Sequence, residues 1–479
     1  MAKELVWGPT YEEMLHPDRV DPGVREKALQ TAASDPLAPV NLFNITWRNR
    51  AVEAETVDGR QGVREPFYVV IPKEITGVDA NIVALYGRDF PTGSHKVGAT
   101  YSVSMEAQLA GEARPGENTL VFPSTGNYGI GGAWVGPRMG YDTLVILPEL
   151  MSRERFELIA DFGARYVKTP GGESSVREIY QKCWELREDP RIRVLNQFEA
   201  MANYRFHYCC TGNTVAEMMG LLKARGIGNG RCAAFVSAMG SAGTIAAGDR
   251  LKQVFPETRI VGLEPIQCPT LYCNGYGDHD IQGIGDKHVT WIHNVLNMNA
   301  LMCVDDMECE LMLQVLSDPV GVEYLAGETG AGGAGVDEAM VRDLSTMFGI
   351  SGVCNLIGAI KTARYYRLGP DETVVTVLTD GIDRYYSVMG QLTRQFGPLT
   401  SDVARERHRS ILLGANLDYI QEGTALNRDR WFNLKYYTWV EQQGKTVAEL
   451  DAQRSQSWWK DQQDLVAEID GGLAGARER

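Results

Sequence analysis

Lys96 stands where a strand pattern at residues 80–85 gives way to a helix pattern at residues 97–109, inside the run Pro91-Thr92-Gly93-Ser94-His95-Lys96-Val97-Gly98-Ala99. Strand-to-helix junctions of an α/β protein open into the crevice at the carboxyl ends of the strands, where ligands bind. Three further loops follow predicted strands in the same way. Pro123-Ser124-Thr125-Gly126-Asn127-Tyr128-Gly129 offers hydroxyls, a carboxamide and the free N–H groups of a helix start, which suit a carboxylate or other oxyanion. Gly240-Ser241-Ala242-Gly243-Thr244 has small residues that let the backbone approach an anion closely, ahead of a helix whose dipole favours negative charge. It lacks both the Lys-Ser/Thr ending of a nucleoside triphosphate loop and the GxGxxG spacing of a dinucleotide site, so a monophosphate ester suits it better. The last loop, Leu378-Thr379-Asp380-Gly381-Ile382-Asp383-Arg384-Tyr385, presents Thr379 or Asp380 to a ring nitrogen. Each feature alone has a plainer reading: a solvated lysine, an ordinary polar turn, a tight turn required by packing.

Together the four match what pyridoxal 5′-phosphate and an amino acid require. A lysine holds the cofactor as an imine, a cradle holds its phosphate, one loop takes the substrate carboxylate, and a polar group meets the ring nitrogen while the ring withdraws electrons from the α-carbon.

Composition narrows the alternatives. At 479 residues, 44% of them hydrophobic, the chain can bury a large core and divide into two or three domains. A formal net charge of −15 disfavours nucleic acid and anionic membrane surfaces as partners. The amino terminus lacks the apolar run of a signal peptide, and no stretch is apolar for long enough to span a bilayer, so a cytoplasmic protein is expected. The nine cysteines are scattered, and neither they nor the seven histidines show metal-ligand spacing. Buried thiols and no metal site are expected.

The elements that must position these loops alternate. Strand patterns at residues 120–122, 143–147, 166–168, 233–237, 259–263 and 374–378 are interleaved with amphipathic patterns at 153–162, 175–186, 213–224 and 244–254. Such alternation implies an α/β fold, a mainly parallel sheet with helices on both faces. Residues 1–79, rich in proline, read as an arm wrapped over the body, with helical potential at 21–33. Residues 80–395 read as the catalytic core, with a smaller mobile subdomain at about 100–195. From about residue 395 the strand signal disappears, and residues 396–479 read as a helical, aromatic extension ending in a disordered polar tail. Its tryptophans should pack on their own body or on a second subunit.

Eight segments in order resemble the β-family, or fold type II, of pyridoxal-phosphate enzymes, within it the cysteine synthase and cystathionine β-synthase branch. They are the four loops above, Asn196-Gln197-Phe198 with His207-Tyr208 and Thr211-Gly212, Val261-Gly262-Leu263-Glu264-Pro265, Ile281-Gln282-Gly283-Ile284-Gly285 and Gly349-Ile350-Ser351-Gly352. The resemblance implies a two-domain fold like that of the tryptophan synthase β-subunit and a homodimer. It also implies that Lys96 binds the cofactor covalently and moves the α-proton. Asn127 would meet the ring hydroxyl, Gly240, Ser241, Ala242, Gly243 and Thr244 the phosphate, and Ser124, Thr125, Gly126, Asn127 and Gly283 the substrate. The reaction implied is β-elimination or β-replacement on a serine- or cysteine-like L-amino acid through an aminoacrylate. Dehydratase or ammonia-lyase action, or a non-catalytic role in cofactor binding, are the alternatives.

Several positions depart from the branch. It usually carries serine near Gly381, where this chain has Thr379 and Asp380, and a carboxylate there would favour a protonated ring nitrogen. His95 is unusual for sulfhydrylases, and either lies against the phosphate or packs at the helix start. Asp286-Lys287-His288 replace small or apolar residues, and Lys287 either receives an anionic substrate tail or is solvated. The glycine-rich run at 327–335 reads as a long surface loop or a lid.

Overall fold

Runs rich in Val, Ile, Leu and Ala become strands because β-branched and apolar side chains pack well on a pleated, buried surface. The computed structural model describes residues 4–49, 65–124, 126–172 and 175–479. Its strands are β1 (Tyr68–Ile71), β2 (Asn81–Tyr86), β3 (Thr119–Pro123), β4 (Asp142–Pro148), β5 (Arg165–Thr169), β6 (Ile192–Val194), β7 (Cys232–Ala238), β8 (Arg259–Pro265), β9 (Ala300–Val304), β10 (Thr373–Leu378) and β11 (Ile420–Glu422). They form two sheets, ordered β1-β2-β10-β7-β8-β9-β11 and β5-β4-β3-β6. The smaller sheet is parallel throughout. In the larger one only the edge strands β1 and β11 run antiparallel to their neighbours. This is the expected α/β architecture, and every strand read from the sequence is present within two residues of its expected ends.

The centre of the large sheet is built to part at one end. β10 pairs with β2 over its whole length, from Thr373↔Asn81 to Leu378↔Tyr86. Its ladder with β7 stops at Val375↔Phe235, although both strands continue. Two side chains bridge the strands beyond that point. The Thr376 hydroxyl donates to Val236 O at 2.7 Å. The Asn355 carboxamide accepts from Ala238 N at 2.7 Å and donates to Val377 O at 2.6 Å. Asn355 comes from the helix Ile350–Tyr365, which packs on β7 and β10 and is buried almost along its length. Because buried backbone groups must be paired, one amide fixed on a rigid helix can hold two strand ends apart without leaving either unsatisfied.

The terminal segments lean on this core. Trp47 of the arm is buried and donates through its indole to Thr211 Oγ1 at 3.1 Å. β1, within the expected arm, joins the sheet. Trp431, Trp439 and Trp459 of the carboxyl-terminal segment are all buried within their own chain.

Two expectations need correction. The strand signal does not end at residue 395, since β11 covers an edge of the large sheet; three residues are too few to show a period. The polar tail is not disordered but is the end of a 23-residue helix, Gln456–Glu478. The Asp470 carboxylate of that helix accepts from the first N–H groups of the short helix Tyr11–Leu15, Tyr11 N at 2.7 Å and Glu12 N at 3.0 Å. Leu473 is fully buried beside it. Tertiary docking outweighs the poor helix propensity of the tail's glycines. The glycine-rich run is a loop with one tight turn at Thr329–Ala331, its ends tied by Gly335 N donating to Gly327 O at 2.8 Å.

Replacing Asn355 by Ala leaves a buried N–H and a buried carbonyl unpaired. The variant should lose about 2–4 kcal/mol of unfolding free energy in chemical denaturation, whereas Asn355→Gln should retain part of it.

Candidate active site

Lys96 is the first residue of the helix Lys96–Leu109, and its chain reaches the cleft through the turn in which Gly93 adopts a φ of 69°. Its amine donates to Ser241 Oγ at 3.3 Å. Burial lowers the Lys96 pKa to about 8, partly offset by the negative charge of Asp286. An amine in that range is unprotonated in an appreciable fraction of molecules near neutrality and in most of them above pH 8, as a nucleophile or general base requires.

Ser241 belongs to the loop that leaves β7. Its oxygen also accepts from Asn203 Nδ2 at 3.1 Å, so its own hydrogen remains available to a ligand. Ala242 sits at a φ of 59°, a left-handed conformation costly for a residue with a Cβ. A Cβ at Gly240 would come within 2.7 Å of Gly283 O. His95 is fully buried, with Nε2 3.2 Å from Thr244 Oγ1 and its ring stacked on Trp47. Burial first, and then the charge of Lys96, hold its pKa well below the ordinary value, so the ring is neutral. His95 therefore both packs at the helix start and touches the expected phosphate loop.

Opposite this loop the smaller sheet contributes Ser124, at the end of β3, and the amino end of the helix Asn127–Arg138. Ser124 Oγ accepts from Gly126 N at 2.9 Å. Lys96, Ser124, Gly126, Asn127, Gly240, Ala242, Thr244, Gly283 and Thr379 all line one cleft. Thr125 lies outside the described residues.

Asp380 is not on the cleft wall. It is fully buried behind it, with Oδ2 accepting from Asn127 Nδ2 at 2.6 Å and from Tyr385 OH at 2.9 Å. Arg155 Nη2 lies 3.9 Å from the same oxygen and donates to Tyr385 OH at 2.9 Å. Arg384, also fully buried, donates to Asn127 Oδ1 and Thr92 O. Asp380 is thus the hub of a buried network that fixes Asn127, and Thr379 is the residue of that pair exposed to the cleft. Lys287 is turned outward to Asp278, at 3.2 Å.

The sequence reading gave no role to Asn203, Asn355, Arg155, Arg384 or Tyr385. One signal was available: Arg155 shares the apolar stripe of Phe156 and Ile159 on its helix, and a cation on the buried face of an amphipathic helix demands a buried partner. The other four are set by contacts between distant segments.

The residues fit pyridoxal phosphate. The loop Gly240–Thr244 brings two hydroxyls and no acid to the place expected for a phosphate, with a lysine amine beside it and Thr379 on the same cleft. When bound, the cofactor would be held by these groups. The described residues contain no group of three or more His, Cys, Asp or Glu able to hold a metal ion.

Comparison with known proteins agrees. Residues 86–380 match the family model "Pyridoxal-phosphate dependent enzyme". The chain is 31% identical over 315 residues to a cysteine synthase of Staphylococcus aureus, covering 65% of this chain and 90% of that one. It is 31% identical over 224 residues to the cystathionine beta-synthase of Saccharomyces cerevisiae, covering 45% of this chain and 43% of that one. Among solved structures, O-acetyl serine sulfhydrylase isoform 3 of Entamoeba histolytica superposes with a TM-score of 0.58 at 23% identity, over 76% of this chain and 99% of that one. A hydrogen sulfide-producing enzyme of Fusobacterium nucleatum gives 0.55 at 24% identity, over 72% of this chain and 91% of that one. These structural likenesses establish the fold, which is the fold type II architecture. With the family model covering well over half of its length, this chain belongs to the pyridoxal-phosphate dependent enzymes, in the branch of the cysteine synthases.

Proposed function

We propose that this enzyme removes or replaces the β-substituent of a serine- or cysteine-like L-amino acid, taking a sulfur nucleophile where replacement occurs. The observation that carries the reading is the buried Lys96 amine, 3.3 Å from the Ser241 hydroxyl, on a cleft lined by Ser124, Gly126, Asn127 and Tyr128 on one side and Gly240, Ala242 and Thr244 on the other. The 31% identity to a cysteine synthase supports the same chemistry.

Pyridoxal phosphate, when bound, supplies an electron sink for the pair released at the α-carbon. The chain's own groups do the rest. Lys96 holds the cofactor, then accepts the α-proton on Nζ and returns it. Ser124 and the N–H groups at the start of the helix Asn127–Arg138 receive the substrate carboxylate, favoured by the positive end of the helix dipole. Ser241 and Thr244 donate to the phosphate, with neutral His95 behind Thr244. Thr379 meets the ring nitrogen, and a hydroxyl there leaves that nitrogen largely unprotonated, which suits rapid β-elimination. Asn127, held by Asp380 and Arg384, orients against the ring oxygen. The smaller sheet, within residues 100–195, closes on the bound amino acid, and the enzyme works as a cytoplasmic homodimer.

Purified enzyme should consume O-acetyl-L-serine, L-serine or L-cysteine and, given sulfide or a thiol, form the corresponding thiol or thioether amino acid, followed by chromatography and mass. Pyruvate and ammonia as the only products, acceptor or not, would instead mark a dehydratase or ammonia-lyase. Lys96→Ala should fold yet lose at least about 10³-fold in turnover.

A further inference from the structure

The helix Met201–Phe206 runs on into the helix Gly212–Ala224 through one widened π turn, His207–Thr211. Such turns are rare and are found most often at functional sites. This one lies under the loop expected to hold the cofactor phosphate. Just before it, Asn203 donates to Ser241 Oγ of that loop at 3.1 Å. Within it, His207 packs edge-to-face on His95, the ring centroids 5.2 Å apart. At its end, Thr211 Oγ1 takes the indole N–H of Trp47 at 3.1 Å. Trp47, His95, His207 and Thr211 are all buried, so an arm residue distant in sequence joins the back of the site.

The direction of each hydrogen bond follows from the groups present. An indole N–H can only donate, so the Thr211 oxygen accepts from Trp47 and its single hydrogen is left for His207 Nδ1, 3.1 Å away. Burial first, and then the charges of His95 and Lys96, hold the His207 pKa well below the ordinary value. The ring is neutral, and with Nδ1 accepting, its hydrogen sits on Nε2. The Trp47 ring itself lies almost parallel to His95, at 5.4 Å and 23°. His95 is thus held between two rings, one of them Trp47 and the other fixed through Trp47, with its Nε2 3.2 Å from Thr244 Oγ1 on the wall of the cleft. The indole N–H is not needed to dock the arm, because Trp47 O accepts from Phe67 N at 2.9 Å, the Trp47 ring meets Phe90 at 4.8 Å, and Arg48 pairs with Glu217.

We propose that Trp47 is a positioning residue for the cofactor phosphate, acting through Thr211, His207 and His95 on the Thr244 hydroxyl. This deepens the function proposed above and rests on its placement of the phosphate at Gly240–Thr244. A hydroxyl on a loop turns freely unless something fixes it, and turning it toward an anion at each binding event costs entropy. The clamp on His95 removes that cost in advance. It does so with neutral groups alone, so no carboxylate is brought near a phosphate that it would repel. The arm is therefore a working part of the cofactor site.

The test compares two ligands that differ only in the phosphate. Holoenzyme is dialysed to equilibrium against graded concentrations of pyridoxal phosphate or of pyridoxal, and bound ligand is read from its absorbance. Trp47→Phe keeps an aromatic ring on His95 and removes the indole donor. Its preference for pyridoxal phosphate over pyridoxal should fall about tenfold, through weaker binding of the phosphate form alone. Thr211→Val breaks the same link with Trp47 in place and should do likewise, which covers a Trp47→Phe chain that does not fold. With Thr244→Ala already present, Trp47→Phe should change the preference no further. A preference that stays as in wild type in both single variants, equal loss of the two ligands, or a full tenfold effect that persists beside Thr244→Ala would overturn the role of Trp47. If Thr244→Ala alone leaves the preference unchanged, the placement of the phosphate in the proposed function falls instead.

Discussion

A primary amine held away from water is the constraint on which the rest of this structure depends. An exposed lysine would be a cation at physiological pH and useless as a nucleophile. Here Lys96 is surrounded by protein, with a hydroxyl in contact and an acid acting from beyond ion-pair distance, and its pKa falls to about 8. Burying a charge is costly without a partner, so the site must supply enough polarity to keep the amine in place and too little to fix it as an ammonium. Ser241 in contact and Asp286 further off meet that condition. A carboxylate in direct contact would not.

The scaffold follows from the need to place such an amine inside a protein yet within reach of a small molecule. A fully paired central sheet would close over it. The early end of the β7–β10 ladder, with Thr376 and Asn355 satisfying the strand ends, opens a polar slot in an otherwise apolar layer. Loops from both sheets meet there. The side-chain network behind the slot, Asp380 with Asn127, Arg155, Arg384 and Tyr385, ties the small sheet to the large one by hydrogen bonds and charge. The arm and the carboxyl-terminal helices support the same region from outside, through Trp47 on His95 and Trp439 on Val289.

Much of this was legible in the sequence, and what was not has physical causes. The strands of the two sheet centres are near-continuous apolar runs after turn residues, so β2, β3, β4, β7, β8 and β10 could be read in order, as could the five-residue edge strand β5. The other edge strands, β1, β6 and β11, of three or four residues, are too short for a period. β9, Ala300–Val304, is a buried apolar run of the kind that periodicity cannot tell from helix. Lys96, Ser124, Gly126, Asn127, Gly240, Ala242, Thr244 and Thr379 were singled out because loops after strands converge at one edge of a parallel sheet, and Gly283 through the family resemblance. Thr379 and Asp380 could not be told apart, since one residue's difference in position at a strand end decides which faces the cleft. Asp286 was noted only as a departure, because its charge acts on Lys96 across 190 positions of sequence.

The most direct test of the buried amine is chemical. The holoenzyme is treated with borohydride, digested, and its peptides weighed. A pyridoxyl-phosphate adduct on Lys96, at one per chain and on no other lysine, is the result expected of this site. An adduct on a different side chain, or none, would contradict it.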